Sequence, residues 1–584
     1  MYLLPTLLCL SAMTISNPSS ADRQFEQLAA HYVDELPALS PAAATLMGDH
    51  RFDAWLNQVG SEAVAKKMAF CRSYLDRLAQ IDREELSRPN QIDYAMLQHE
   101  LRAEVWKLGE LEEWAWNPLR YTALAGSSIY GLLARDFAPL PERLGHVADR
   151  LEQFPRLYEQ IRSTLDANRV PKIHAETAVK QNSGVLNILE NMVEPYLDTL
   201  PADQRQRLTR AMAVARSAIE KQQKWLETEL LPNAAGNFRI GPERFDQKLA
   251  FTLQEPITRQ EIRRRAEARL SNVRSRMYEI SKEIYRKQYP LTQFPAEPTE
   301  AYRQAIIRAC LELACQKMPE PDTIVETAEE SLARCTALVR EKDLVTVPND
   351  PLDIIVMPEF ERGVSIAYCD SPGPLDVGQK TFYAVSPPPA DWTDEQVRSF
   401  LREYNVLSLH NLTIHEAMPG HFLQLAHSNR YPGKLRAMLS SGVFVEGWAV
   451  YCEWMMCEEG FLEDDPLMKL TVLKWYLRDT VNALIDQQIH AEDMTREEAM
   501  HLMVEGAFQE EREAAGKWVR AQLTSAQLST YFVGYLGITD LRRETEEAWG
   551  EKFNLKTFHD RLLSFGSPPV RYVRAMLLDE EIPR

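Results

Sequence analysis

The stretch HEAMPGH, residues 415 to 421, decides how the rest of the chain is read. It opens like a zinc-protease helix with His415 and Glu416, but the second histidine arrives six positions later, after a Pro-Gly pair. In an H-E-x-x-H helix the two histidines are four apart, so both imidazoles face one metal and the adjacent glutamate reaches its water. On a regular helix of about 100° per residue, six steps carry His421 about 120° away from His415. Two readings follow. Pro419 has no N–H to give and Gly420 tolerates unusual dihedrals, so the pair suits a bulge that loops out two residues and returns His421 to the face of His415. Alternatively, Pro-Gly ends the helix and the histidines complement its dipole.

A second segment weighs on that choice. Twenty-five residues after His421, within FVEGWAVYCEWM (residues 444 to 455), Glu446 stands beside Gly447 on an apolar helical run, with Glu453 seven residues on. A carboxylate buried there without a partner costs several kcal/mol, of order ~3–5. A metal supplies the partner. Glu453 suits a hydrogen bond to a ligand histidine, fixing its tautomer, or a solvated position past the site. His410 and His427 share no face with the motif and read as outer or ordinary polar residues.

The composition limits the background. A chain of 584 residues, 45% hydrophobic and 26% charged, buries a large core and is not compositionally disordered. Glycine is scarce, 23 against 34 prolines, which disfavours turn-rich β architecture. The net charge of -19 and the lack of a concentrated basic surface argue against a nucleic-acid partner.

The first 21 residues carry no charge, and Ser19 and Ala21 are small residues of the kind a signal peptidase cuts beside. Residues 1–21 therefore read as a secretory signal, placing the protein in the periplasm or outside the cell. The missing positive n-region and Pro5 leave a buried first helix as the alternative, with a cytoplasmic location. Cys9 lacks the preceding small residue of a lipidation site. No later run reaches the 18 or so apolar residues of a membrane helix, so no stable membrane insertion is expected. Of the eight cysteines, Cys310 with Cys315 and Cys452 with Cys457 lie five apart on helices, where they read as buried hydrophobes.

Helix signals run through the chain. Thr258 with Glu261, Thr393 with Gln396 and Thr495 with Glu498 fit capping boxes. Residues 141–165, interrupted at Pro155, and residues 495–523 show apolar spacings of three and four. Residues 352–387 break the rhythm: DIIVMP, VSIAYC and TFYAVS are short β-rich runs between Gly and Pro turns. A small sheet just before the HEAMPGH helix is expected, either as a peptide-binding edge or as a plain hairpin excursion.

HEAMPGH, EGWAVY (446 to 451) and SAQLSTYFVGYLGITDLRRE (525 to 544) together resemble the bacterial domain of unknown function 885 family, whose members are zinc-metallopeptidase-like and distantly gluzincin-like. The resemblance runs from PALSPAAATLMGDHRFD (37 to 53) to FGSPPVRYV (565 to 573). It implies a mainly α, two-lobed metallopeptidase-like fold with a deep cleft, one helical domain over residues 22–584.

Carried onto this chain, the resemblance makes His415, His421 and Glu446 the ligands of Zn2+. Glu416 becomes the general base that activates a zinc-bound water for attack on an amide carbonyl. Tyr531, which fits the family's tyrosine-x-x-glycine pattern with Gly534, becomes the oxyanion donor, or else a core aromatic one turn from Tyr535. Tyr535 and Arg542 are candidates for substrate binding, Arg542 as a clamp on a peptide carboxylate; Arg542 and Arg543 equally fit a solvated face. The expected function is zinc-dependent hydrolysis of peptide or small amide bonds. The alternative is a non-catalytic exported helical peptide-binding protein. An intact set of His415, Glu416, His421 and Glu446 favours the enzyme.

Overall fold

The computed structural model describes residues 19–358, 366–389 and 392–584. The fold is mainly α with one three-stranded sheet. The apolar core is divided. Helices between residues 119 and 230 bury Ile129, Leu151, Phe154, Val185 and Ile219 in one cluster, whereas the largest cluster runs from Val273 to Leu577 and surrounds the motif helices. A third gathers Phe25, Tyr74 and Leu97 from the first helices.

The chain enters the described structure through a capping box. Ser19 and Asp22 cap the helix Ser20–Glu35 reciprocally, and the Asp22 carboxylate also accepts from the Ser87 N–H (2.9 Å) and Asn90 Nδ2 (2.7 Å). The signal boundary expected at residue 21 thus falls inside a folded turn that begins at Ser19. Residues 1–18 lie outside the described residues. Among the described residues, no helix is long and apolar enough to cross a membrane.

All three expected threonine caps form. Thr393 and Thr495 make both halves of the box, while Thr258 makes one, because the Glu261 carboxylate is taken by Arg264 and Arg265. Pro155 starts a new helix, Phe154–Thr164, after Leu140–Leu151. The run 495–523 is two helices and not one: Arg496–His501 leads into a wide turn, Leu502–Gly506, and Phe508 adopts φ 58° before helix Glu511–Leu523. Apolar periodicity persists across the break because both pieces pack on one core.

The sheet lies in the expected region. Strands β1 (Leu352–Val356), β2 (Ala367–Asp370) and β3 (Thr381–Val385) take the order β1-β3-β2, with β3 parallel to β1 and antiparallel to β2. β2 is therefore an edge strand.

Six helices build the site: α1 (Val406–Glu416), α2 (His421–Ser428), α3 (Gly442–Glu458), α4 (Pro466–Ala491), α5 (Glu511–Leu523) and α6 (Ser529–Trp549). α1 is buried on nearly every face, from Leu407 to Glu416, with Asn405 capping it through bonds to the Leu407 and Ser408 N–H groups. α3 and α6 cross at two glycines. A Cβ on Gly447 would stand 2.4 Å from the carbonyl carbon of Gly534, and one on Gly534 would stand 2.1 Å from the Val443 oxygen. Only glycine lets these backbones meet.

Candidate metal centre

The Pro-Gly insertion is visible in the backbone bonds. A helix bonds each N–H to the carbonyl four residues back. Here Gly420 N–H donates to Ile414 (2.9 Å) and Leu423 N–H to Ala417 (3.3 Å), each six residues back, so two residues are looped out and the helical path resumes. The chain breaks formally after Glu416, and α2 starts at His421. Gly420 is required by proximity, since a Cβ there would lie 1.9 Å from the His415 oxygen. The Pro419 carbonyl accepts the indole N–H of Trp448 (2.8 Å), which ties the insertion to α3.

The result brings both histidines to one point. Their rings lie 4.7 Å apart, and Glu446 Oε2 on α3 stands 3.5 Å from His415 Nε2 and 3.4 Å from His421 Nε2. One ligand atom from each residue lies within 4.8 Å of the others. Hydrogen-bonded N–H···O pairs sit at about 2.9–3.0 Å, closer than these contacts. Glu446 Oε2 is buried without a hydrogen-bond partner, as is His421 Nδ1. Tetrahedral ligands at about 2.0–2.1 Å from a zinc ion stand about 3.3–3.4 Å from one another. The donor set and its spacing fit such an ion.

Glu453, one per cent exposed, accepts from His415 Nδ1 at 2.8 Å and from Asn411 Nδ2 at 2.8 Å. The bond leaves His415 Nε2 facing Glu446 and His421, the orientation that metal histidines take from a carboxylate partner. Asn411, one turn before His415, carries no motif signature in the sequence. Glu416 is buried against β2, where it accepts from the Cys369 backbone; burial raises its pKa, opposed by the two histidines. Burial also penalises the Glu446 charge, but both imidazoles outweigh it and hold that carboxyl below the usual carboxylate range.

These groups line a cavity of about 1080 Å3. The lining includes the edge strand, Ala367 to Cys369, and α5 with Tyr531 of α6. The Tyr531 ring centre is 6.4 Å from that of His415. Its hydroxyl accepts from Arg520 Nη2 (3.2 Å) and Gln527 Nε2 (3.4 Å), which leaves its own proton free to donate.

Two sequence candidates lie elsewhere. Tyr535 is packed between the Tyr476 ring (4.7 Å) and the Arg269 guanidinium (4.3 Å), because one helical turn carries it from the cavity wall into the core. Arg542 lies two further turns along α6 and pairs with Glu458 and Glu546, each at 2.9 Å. Neither lines the cavity, so neither is placed to bind a substrate in it. Arg543 pairs with Glu547 and Asp540. His410 bonds to Ser331 Oγ in the core and His427 to the Thr346 carbonyl, both apart from the triad. The described cysteines are unpaired thiols. The cavity instead recruits Arg478, Asp479, Lys517 and Arg520, which the sequence presents only as polar positions of amphipathic helices.

No curated protein matches the chain. Two solved structures are similar. One is described as "a putative lipoprotein of unknown function" from Shewanella oneidensis, with 33% identity and a TM-score of 0.77 over 95% of this chain and 99% of that one. The other, described as "the putative lipoprotein" from Colwellia psychrerythraea, shares the fold at 20% identity and a TM-score of 0.79, covering 96% and 99% of the two chains. The family model for "Bacterial protein of unknown function (DUF885)" matches residues 41–577, and the chain belongs to that family.

Proposed function

We propose that the protein is a zinc-dependent hydrolase of peptide or related amide bonds. The observation that carries this reading is the Glu446 carboxylate oxygen, buried without a hydrogen bond and equidistant, within 0.1 Å, from two imidazole nitrogens at 3.4 and 3.5 Å. His415, His421 and Glu446 would hold the ion. When bound, zinc supplies Lewis acidity toward a carbonyl oxygen and lowers the pKa of a coordinated water toward about 7.

The chain's own residues complete the chemistry. Glu416 is not part of the triad, and its burial raises its proton affinity, which suits a base that takes a proton and returns it to a leaving amine. Tyr531 presents a hydroxyl proton into the cavity, where charge develops on a carbonyl oxygen. Glu453 keeps His415 oriented. A peptide is favoured as substrate because the outer strand β2 lines the cavity and offers main-chain pairing there apart from the Cys369 N–H that Glu416 accepts.

Export belongs to the same reading. Residues 1–21 carry no charge, and both similar chains are described as putative lipoproteins. A silent peptide-binding protein would use the same edge strand but has no need of Glu416 beside the triad.

The test is metal analysis of the purified protein beside hydrolysis of internally quenched peptides with and without a chelator. One zinc per chain and chelator-sensitive hydrolysis restored by zinc support the reading. A chain that takes up no zinc overturns it.

A further inference from the structure

The α5 wall of the cavity carries two basic side chains, Lys517 and Arg520, that have no carboxylate partner among the described residues. Lys517 is 5% exposed and its side chain borders the cavity, and among the described residues its amine makes no hydrogen bond and no ion pair. Burial, with the Arg478 and Arg520 charges beside it, holds the Lys517 pKa well below the usual lysine range, and an anion seated against it would favour the charged form. Arg520 stands three residues on, so both side chains occupy one helix face. Its guanidinium donates to two neutral acceptors, Gln527 Oε1 (3.1 Å) and the Tyr531 hydroxyl (3.2 Å).

The acids nearby do not neutralise them. Glu513, on the same helix, is engaged by Arg478 at 2.7 Å and by the Tyr404 hydroxyl at 2.9 Å. Among the described residues Asp479 on α4 makes no ion pair with either side chain, and burial together with the Glu453 charge pushes its pKa up to about 7. Glu403 is paired with Lys474 at 2.8 Å. Glu446 faces the two histidines.

We infer that Lys517 and Arg520 hold a carboxylate of the peptide substrate beside the triad. Tyr531 joins the two sites, touching Arg520 with its hydroxyl and lying next to the His415 ring with its face. One peptide residue spans at most about 3.3–3.6 Å, so a carboxylate seated here belongs within a few residues of the bond at the triad. A guanidinium and an ammonium on one wall suit a carboxylate through directed and undirected charge respectively. That carboxylate is a chain terminus or an acidic side chain close to the scissile bond. The inference rests on the hydrolase reading for its substrate, but the binding site stands on the two basic side chains alone.

The experiment measures binding and hydrolysis separately. Acetyl-Ala-Ala as the free acid, acetyl-Ala-Ala amide, and acetyl-Ala-Glu amide are titrated calorimetrically into the full chain, both zinc-loaded and chelator-treated. Expected is at least tenfold tighter binding of a carboxylate-bearing peptide than of the neutral amide in both preparations. The free acid leading identifies the terminus, and the Glu amide leading identifies a side chain. Lys517→Met and Arg520→Gln should each remove that preference while leaving the affinity for the neutral amide unchanged and without lowering the melting temperature. Equal binding of acid and neutral amide, absence of binding by all three, or equal loss for all three in both variants overturns the inference. Retained acid preference without any zinc-dependent hydrolysis would overturn the hydrolase and leave this site standing. Hydrolysis indifferent to the carboxylate would do the reverse.

Discussion

Gly447 and Gly534 pack backbone against backbone, and each is placed beside a residue of the site: Glu446 directly precedes Gly447, and Tyr531 lies one turn before Gly534. The crossing therefore fixes a triad carboxylate relative to a cavity hydroxyl. Gly447→Ala would put a methyl 2.4 Å from the Gly534 carbonyl carbon, where only backbone movement relieves it. The expected cost is about 1–3 kcal/mol by denaturant unfolding, as for overpacked cores, with zinc affinity reduced in step. Unchanged stability would mean the two helices separate freely.

On the proposed hydrolase reading, Glu416 and Glu446 take separate roles. Glu416→Gln keeps the triad intact and removes the base, so zinc content stays near one per chain while turnover falls at least about a hundredfold. Glu446→Gln replaces a charged ligand by an amide, so zinc is lost more readily and activity recovers partly with added metal. Zinc analysis beside hydrolysis rates reads both. The opposite pattern would exchange the two roles.

Glu453 acts through His415. Glu453→Ala strips Nδ1 of its 2.8 Å partner and leaves Asn411 unpaired, so zinc affinity should fall about 10–100-fold, the usual effect of losing a histidine's outer carboxylate. Competition with a chromogenic chelator measures it, and Glu453→Asp should recover part of the loss.

Tyr531→Phe should lower kcat about 10²–10³-fold with little change in KM, as expected for one donor to a developing oxyanion. Tyr535→Phe, buried against Tyr476 and Arg269, should leave both constants near those of the parent. Equal effects of the two substitutions would assign Tyr531 to packing.

His50 predicts a pH-dependent stability. Burial alone would lower its pKa, but hydrogen bonds to Asp376 and Asp53 (3.4 and 3.0 Å) raise it to about 9. An unfolded histidine titrates near 6.5. The contribution is therefore complete below about pH 6.5 and is lost as the pH rises through about 9. The melting temperature should fall across that interval, and His50→Gln should flatten the slope. Asp376 follows β2, so the change also loosens the strand's connection to residues 41–53.

Much of this site is legible in the sequence because its signals are local. Six-residue spacing with Pro419 and Gly420 between two histidines permits only a few backbone paths, and the two bonds reaching six residues back record the one adopted. Glu446 and Glu453, seven apart on α3, face α1 together because two helical turns return nearly to the same angle. The sheet and the threonine caps are likewise short-range.

Tertiary structure decided what periodicity leaves degenerate. Tyr531 and Tyr535 look alike as aromatic positions of one helix, and only the Gly447–Gly534 crossing turns the first toward His415 and the second into the core. Lys517 and Arg520 look like any solvated pair until α5 closes over the cavity and α4 commits Arg478 to Glu513. Arg542, two turns past Tyr535, finds Glu458 and Glu546. Sequence determines which residues share a helix face, since that follows from the 3.6-residue turn; which face meets a cavity, a core or solvent depends on contacts between elements far apart in the chain.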